Sequence, residues 1–460
     1  MYLGIVDHSQ LHHMNRKTFI RLSSAFAVAP LVHPIQVMAQ QEPLKNWSGN
    51  LQYSTSNVFY PKTVVEAQKK VQELERLHVL GTRHCFNTIA DSTFNLISSN
   101  KLNKVLGIDE AKKLVHVEGG IKYGELSPIL HLQGFAIHNL ASLPHISVAG
   151  SISTATHGSG VTSGNLSSAV RAIEFISADG SLHKLSKEKD RDMFNGAVVS
   201  LGAIGMITSV SLAIEPTYQV RQHVYLDLPF EALEENFGKI MSAGYSVSLF
   251  TDWKSSTINE VWIKSRIPDD KDYSKVKDFF GARAASVNMH PIAELSAENC
   301  TPQLGLAGPW HERLPHFKMG FTPSSGKELQ AEYFVPREHA VHAIMAVKKL
   351  AAEISPLLFI SEIRTIEADE FWMSPCRKQD SVAIHFTLKQ EWNPVQQLLP
   401  KIETALEPFN PRPHWGKLFT MPPKTLASKY EKLKDFLELV ASYDPKGKFR
   451  NDFLQQNLYS

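Results

Sequence analysis

Cysteine is scarce in this chain: Cys85, Cys300 and Cys376 are the only three among 460 residues, with no C-x-x-C pair. That excludes a disulfide framework and a thiolate metal cage. The twenty histidines form no H-E-x-x-H pattern, so no bound metal is expected. Charge of one sign is also missing, because 48 basic side chains stand against 46 acidic ones. No net field recruits nucleic acid or an anionic membrane, and neither is expected as a partner. The apolar stretch near the N-terminus is too short to span a bilayer as a mature helix. Neither G-x-G-x-x-G nor G-x-x-x-x-G-K-[ST] occurs, which argues against a Rossmann or P-loop site. Internal repeats and low-complexity tracts are absent too.

What remains is an ordinary globular composition, 43% hydrophobic and 20% charged, at a length that suits two domains. The first 39 residues have the texture of a targeting segment. A basic part with Arg16, Lys17 and Arg21 precedes the short apolar SSAFAVAPLV, and Val37, Met38 and Ala39 make an acceptable cleavage site. Arg16 and Lys17 before Thr18, Phe19 and Ile20 resemble a twin-arginine export signal with one arginine replaced by lysine. A periplasmic or secreted protein is expected, the alternative being a cytoplasmic one with an N-terminal extension. Cleavage would remove three of the 48 basic residues and one of the 46 acidic ones, leaving 45 of each.

Beyond Trp47 the elements are short. Residues 58–74 carry a proline turn, a capping Thr63 and apolar residues at helical spacing from Val64. Residues 77–81 form a buried strand, 112–134 a strand, Gly-Gly turn and helix, and 171–185 a hairpin around Asp179 and Gly180. This succession predicts an α+β domain over 46–215. The texture changes near Glu215 and Pro216, and a second α+β domain is expected over 216–430, with a strand at 245–253 and a helix at 338–354. Residues 431–460 form a tail that ends a helix and turns at Pro445 to Lys448.

Two small-residue loops carry the chemistry. In LHVLGTRHCFNTIA (77–90) an apolar run ends at Gly81, and His84 follows a polar turn. In NLASLPHISVAGSISTATHGSG (139–160) serine, threonine and glycine dominate. Glycine lets backbone amides approach phosphate oxygens closely, and hydroxyls supply neutral donors. Two such loops suggest a dinucleotide gripped from both sides. In EIRTIEAD (362–369) a strand would set Glu362 and Arg364 on one face, and in AIHFT (383–387) it would do the same for His385 and Thr387. A carboxylate beside a guanidinium can clamp vicinal hydroxyls as acceptor and donor. Taken alone, such a pair is more often an ordinary strand ion pair, and a lone histidine a core residue. Lys417 projects from a turn in RPHWGK (412–417).

The segments NWSGN, VLGTRHCFN, VEGGIKYGEL, the 139–160 loop, SLGAIGMITSV and DPKGKF resemble, in that order, the FAD-binding domain of the vanillyl-alcohol oxidase family, also called PCMH-type. SLFTDW, GPWHERLPHF, EIRT, AIHFT and RPHWGK are similar to the alditol oxidases, which act on xylitol and sorbitol. The resemblance spans nearly all of 46–453. It implies a two-domain FAD-linked oxidase fold, an FAD-binding domain over 46–215 in two subdomains and a substrate-binding cap over 216–430, with 431–460 returning to the FAD domain. It implies FAD attached covalently to His84, which raises the flavin potential; non-covalent binding is the alternative. It places Val79, Leu80, Gly81, Thr82, Arg83, Cys85, Ser142, Ser147, Gly150, Thr154, Ala155, Thr156 and His157 on the FAD, with Ile207 near the adenine side and His414 near the ring. Cys85 stands where the family usually has serine.

The resemblance also places Ser142, Glu362, Arg364, Thr387 and Lys417 in a polyol pocket with His385 beside them. The expected reaction is oxidation of a terminal alditol hydroxyl, with Lys417 and Arg364 polarising it and His385 or a water taking its proton. Dioxygen is the expected acceptor, reduced to hydrogen peroxide, with Ala141 near the flavin edge. Another acceptor is the alternative. The small-molecule polyol and dioxygen are the expected partners of a monomer. An aldonolactone oxidase or dehydrogenase is the competing enzyme, and a non-catalytic flavin- or sugar-binding protein the competing class.

Overall fold

The structure, a computed structural model, describes residues 43–269, 271–320 and 327–459. The expected export signal at 1–39 lies outside them. Among the described residues no helix is long and apolar enough to cross a membrane.

The first part of the chain builds two small sheets. Strands β1 (Val58–Phe59), β2 (His78–Leu80) and β3 (Leu96–Ser98) pair in parallel in the order β1-β3-β2. Helix α1 (Val64–Glu73) crosses between the first two; the Thr63 hydroxyl caps it by accepting from the Glu66 amide at 3.1 Å, and Ala67 and Val71 form its buried stripe. Strands β4 (Val105–Asp109), β5 (Leu114–Glu118), β6 (Val170–Ile176), β7 (Leu182–Ser186) and β8 (Met206–Ala213) form an antiparallel sheet in the order β4-β5-β8-β6-β7. The expected hairpin is there. Gly180 turns it at φ +85°, and the Asp179 side chain holds the turn by accepting from the Ser181 amide at 2.9 Å.

The second part builds one large antiparallel sheet. Its long strands are β9 (Gln219–Pro229), β10 (Ser246–Thr251), β11 (Thr257–Ile267), β12 (Glu328–Pro336), β13 (Leu358–Ile366) and β14 (Ser381–Lys389). They lie in the order β9-β11-β10-β13-β14-β12. Alternation gives the sheet two faces. Leu249, Ile263, Ile363, Ile384, Phe386 and Tyr333 pack into an apolar core with Phe237, Ile344, Leu399 and Ile402 of the covering helices. Each such side chain contributes about 1.5–3 kcal/mol by burial, and Leu399→Ala would cost about 2–5 kcal/mol. On the opposite face, cross-strand partners set Phe250, Glu362, His385 and Glu332 in one row. Arg364 and Thr387 lie one step to either side on that face.

Residues 338–354 do not form the single expected helix. Ala340–Lys348 is helical, the Leu350 amide then reaches back only to the Val347 carbonyl at 2.9 Å, and the tightened turn leads into a separate segment, Ala351–Ile354. Trp310, Phe371, Met373, Trp415, Met421 and Leu426 belong to the first core rather than the second. The chain thus begins its return to the first part well before residue 431, carried by aromatic side chains too large to leave exposed.

Candidate functional site

Both phosphate-type loops open onto one cavity, about 1830 Å³ including its mouth, whose other wall is the polar face of the large sheet. Its lining runs without a break from the two loops to that polar wall, so one space is bounded by both. The His84 loop is held from beneath by the NWSGN segment. The Trp47 amide donates to the Arg83 carbonyl at 2.8 Å, and the Asn46 side chain donates to the Cys85 carbonyl at 2.9 Å. Trp47 also stacks on the His84 ring, centroids 5.4 Å apart and planes 21° from parallel. Arg83 and Ala155, at φ +64° and +53°, occupy a region costly for side chains with a Cβ, one in each loop.

These loops fit FAD by what they leave unpaired. The His84 Nε2 atom is buried without a hydrogen-bond partner. Burial pushes the pKa of this ring down to about 4, with His145 adding to the effect, so the imidazole is neutral and keeps a lone pair. Among the described residues the amides of 82–85 have no acceptor. The Ser147 hydroxyl is likewise buried and unpartnered between two glycines; a Cβ at Gly150 would come within 2.9 Å of it, and one at Gly81 within 3.2 Å. Donors without acceptors beside bare backbone are what a pyrophosphate requires.

Val79, Gly81, Thr82, Arg83, Cys85, Ser142, Gly150, Thr154, Thr156, His157, Ile207 and His414 all line this cavity, as does Ala141. Leu80, Ser147 and Ala155 do not, the Ser147 side chain being wholly buried beneath Gly81 and Gly150. The Leu80 side chain packs with Tyr53 and Leu96, and that of Ala155 lies in the first core, because strand alternation and the turn direct them inward. Any contact of theirs with a cofactor runs through the backbone.

Across the cavity, the polar row converges on a residue that the sequence reading missed. Glu332 is wholly buried; its Oε1 accepts from Arg364 Nη2 at 2.7 Å, and its Oε2 from Lys417 Nζ at 2.6 Å. His157 Nε2 lies 3.3 Å from Oε1 at an angle that makes no hydrogen bond. Burial alone would raise the Glu332 pKa, but Lys417, His157 and Arg364 together bring it well below the usual carboxylate range. The signal was present in the alternation of Glu328, Gln330 and Glu332 with Leu329, Ala331 and Tyr333.

Lys417 Nζ also donates to His385 Nδ1 at 2.9 Å, and His385 Nε2 lies 3.0 Å from the Thr387 hydroxyl. Burial, and then the Lys417 charge, push the His385 pKa far down. The ring is neutral, accepting at Nδ1 and donating at Nε2. Lys417 itself is lowered by burial, an effect that Glu332 opposes. Its turn is fastened to the His84 loop: Asn87 Nδ2 donates to the Trp415 carbonyl at 2.8 Å and the Lys417 carbonyl at 2.7 Å, and the Phe86 amide to the Gly416 carbonyl at 2.8 Å. His414 lines the same wall, its Nδ1 accepting from the Gly416 amide at 3.1 Å.

Arg364 Nη1 donates to the Ser142 hydroxyl at 3.3 Å, joining the sheet to the 139–160 loop. Glu362 accepts at Oε1 from His316 Nε2 at 2.7 Å, while its Oε2 lies 3.6 Å from Arg364 Nε, outside hydrogen-bond range. Burial would raise the Glu362 pKa, yet Arg364 and His316 hold it far below the usual range. The arrangement therefore presents an ammonium, a guanidinium, a hydroxyl pair and a carboxylate oxygen to one space, beside the His84 cradle. Hydroxyl groups on adjacent carbons match that alternation of donors and acceptors.

Residues 55–186 match the FAD binding domain family, and 322–457 the D-arabinono-1,4-lactone oxidase family. The chain is 44% identical over 416 residues to the alditol oxidase of a Streptomyces strain, covering 90% of this chain and 98% of that one. It is 25% identical over 442 residues to the L-gulonolactone oxidase of Mus musculus, and 25% over 428 residues to an L-gulono-1,4-lactone dehydrogenase of Mycobacterium tuberculosis; each match covers 90% of this chain and 98% of the relative. The fold matches cholesterol oxidase from B. sterolicum with a TM-score of 0.72 at 15% identity, over 94% of this chain and all of that one. A cavity bounded by two loops suited to a flavin dinucleotide and by a polar wall thus goes with a relative matched over 98% of its length. The chain belongs to the alditol oxidase family of FAD-dependent oxidoreductases.

Proposed function

We propose that this protein oxidises the terminal hydroxyl of an alditol such as xylitol or sorbitol to the aldose, with dioxygen reduced to hydrogen peroxide. The observation that carries this reading is the Glu332-centred cluster. It fixes Lys417 and Arg364 side by side while leaving Glu362 Oε2 free to accept from a hydroxyl. When bound, FAD supplies the acceptor for the hydride leaving the carbinol carbon. His84 is its covalent anchor in this reading, supported by the unpartnered neutral ring in the cradle.

Lys417 has three N–H bonds, of which Glu332 and His385 take two. The third is left for the oxygen of the reacting hydroxyl. As the carbinol hydride departs, Lys417 and Arg364 polarise the hydroxyl by holding its oxygen, and its proton passes to a water in the cavity. His385, whose Nδ1 is taken by Lys417 and whose pKa burial and the Lys417 charge push far down, holds the ammonium in place rather than taking the proton. Ser142 and Thr387, held by Arg364 and His385, bind further hydroxyls.

The match of 322–457 to an aldonolactone oxidase family supports a second reading, oxidation of a lactone. A lactone carries fewer hydroxyl donors for Glu362 than a polyol does. Supplying xylitol, sorbitol and gulono-lactone separately under air and following peroxide separates the two. Faster turnover of the lactone than of either polyol would overturn the first. Residues 1–39 are proposed as an export signal. Fractionation finding the full-length chain in the cytoplasm would overturn that.

A further inference from the structure

The GPWHERLPHF segment holds a residue that the reaction above does not use directly. His316 Nε2 is 2.7 Å from Glu362 Oε1, and His316 Nδ1 is 3.0 Å from the Nζ atom of Lys264. Lys264 sits on β11, in the same sheet as Glu362, and only 1% of its surface is exposed. Its ammonium also donates to the carbonyls of Leu314 and Pro315. Burial pulls the Lys264 pKa down to about 7, with the Glu362 charge opposing the shift, and in its protonated form its three donors meet three acceptors, all within the segment that carries His316.

We infer that Lys264 is a positioning residue for substrate binding: by donating to Nδ1 it fixes His316 as the Nε2–H tautomer, which ties down one oxygen of Glu362 and reserves the other for polyol hydroxyls. The ring nitrogens cannot exchange places by a flip. Phe250 and Trp262 press their edges against the imidazole, centroids 5.5 and 5.2 Å away. The ring is neutral as this requires, since burial, and then Lys264, push its pKa down to about 4. Its backbone is anchored as well, the His316 amide donating to the Ser142 carbonyl at 3.1 Å and the Thr301 amide to the His316 carbonyl at 2.9 Å. Without Lys264 the Nδ1–H tautomer becomes accessible. Nε2 would then be a lone pair facing a carboxylate, and Glu362 would turn away.

The inference rests on the proposed role of Glu362 toward polyol hydroxyls. Its test is a double-mutant cycle on the FAD-loaded enzyme, reading KM and kcat for xylitol. Phenylalanine at 316 keeps an aromatic ring in the same packing but has no nitrogen for Lys264 to orient. Lys264→Met should raise KM about tenfold in the parent, the effect of one lost charge-assisted hydrogen bond. His316→Phe should raise KM by about as much, and Lys264→Met should add little in that background. Equal effects of Lys264→Met in both backgrounds would make Lys264 a purely structural residue and overturn the inference. So would a His316→Phe enzyme with the parent's KM. Should Lys264→Met fail to fold, the same comparison is made with Lys264→Arg, which keeps the charge and should retain a KM near the parent's; a KM as high as that expected of Lys264→Met would also refute the idea. A parent enzyme that oxidises no polyol at all would instead contradict the function proposed above.

Discussion

Glu332→Gln is the perturbation that bears hardest on the charge cluster. The Lys417 side chain is mostly buried, with 14% of its surface exposed; burial alone favours loss of its proton, and the carboxylate 2.6 Å away opposes that loss. A hydrogen bond to a charged group is worth about 1.5–3 kcal/mol, and one pKa unit corresponds to about 1.4 kcal/mol. Removing the negative charge should therefore lower the Lys417 pKa by about one to two units more. The sign follows: the ammonium is lost at lower pH, so the alkaline limb of kcat/KM against pH moves toward acid by about that amount. Stability should fall by about 3–5 kcal/mol, because Arg364 also loses its buried partner. The assay is a set of initial rates with xylitol from pH 5 to 10, with thermal melts of both proteins. A limb that stays within a few tenths of a unit of the parent's would refute the assignment of Lys417 as the charged group acting on the hydroxyl.

His84→Ala should sharply lower flavin occupancy and turnover while leaving the melting temperature of the apoprotein near that of the parent apoprotein, and acid precipitation should give a yellow pellet for the parent but a colourless one for the variant. Unchanged yellow in the variant's pellet would place the attachment elsewhere. Lys417→Met should slow flavin reduction by polyol at least about a hundredfold, while reoxidation by dioxygen changes less than about threefold; equal losses in rapid-mixing experiments would contradict its role. Asn87→Ala removes two hydrogen bonds to the turn that carries Lys417, at 2.8 and 2.7 Å. At about 1 kcal/mol each this predicts a loss of kcat/KM of about 10- to 30-fold with flavin retained, measured on equal flavin content.

Much of the fold was legible because local chemistry and tertiary demand agreed. Thr63 caps the helix that its spacing predicted, and Asp179 and Gly180 turn the hairpin whose strands alternate around them. The two loops were legible for the same reason: small residues are needed where backbone must approach a ligand, and few other uses explain so many together. Strand alternation correctly put Glu362 with Arg364 and His385 with Thr387, since two-residue spacing survives any twist of the sheet. It could not say which strands neighbour which. That is why Glu332 escaped notice, although it binds Arg364 and Lys417, which lie 32 and 85 residues further along the chain. His316 and Lys264 were hidden for the same cause, being 52 residues apart in sequence. The side chains of Leu80 and Ala155 could not be separated from those of their lining neighbours, because a cofactor motif marks backbone positions and says little about side-chain direction. The break near Leu350 was invisible because that stretch has no glycine or proline before Pro356.

The most direct measurement is anaerobic mixing of the purified, FAD-loaded protein with xylitol while flavin absorbance is followed. A polyol bound beside the His84 cradle and clamped by Glu362, Arg364 and Lys417 should bleach the flavin, and admitting air should restore the colour with peroxide formed. A flavin that stays oxidised with every alditol tested would contradict the account.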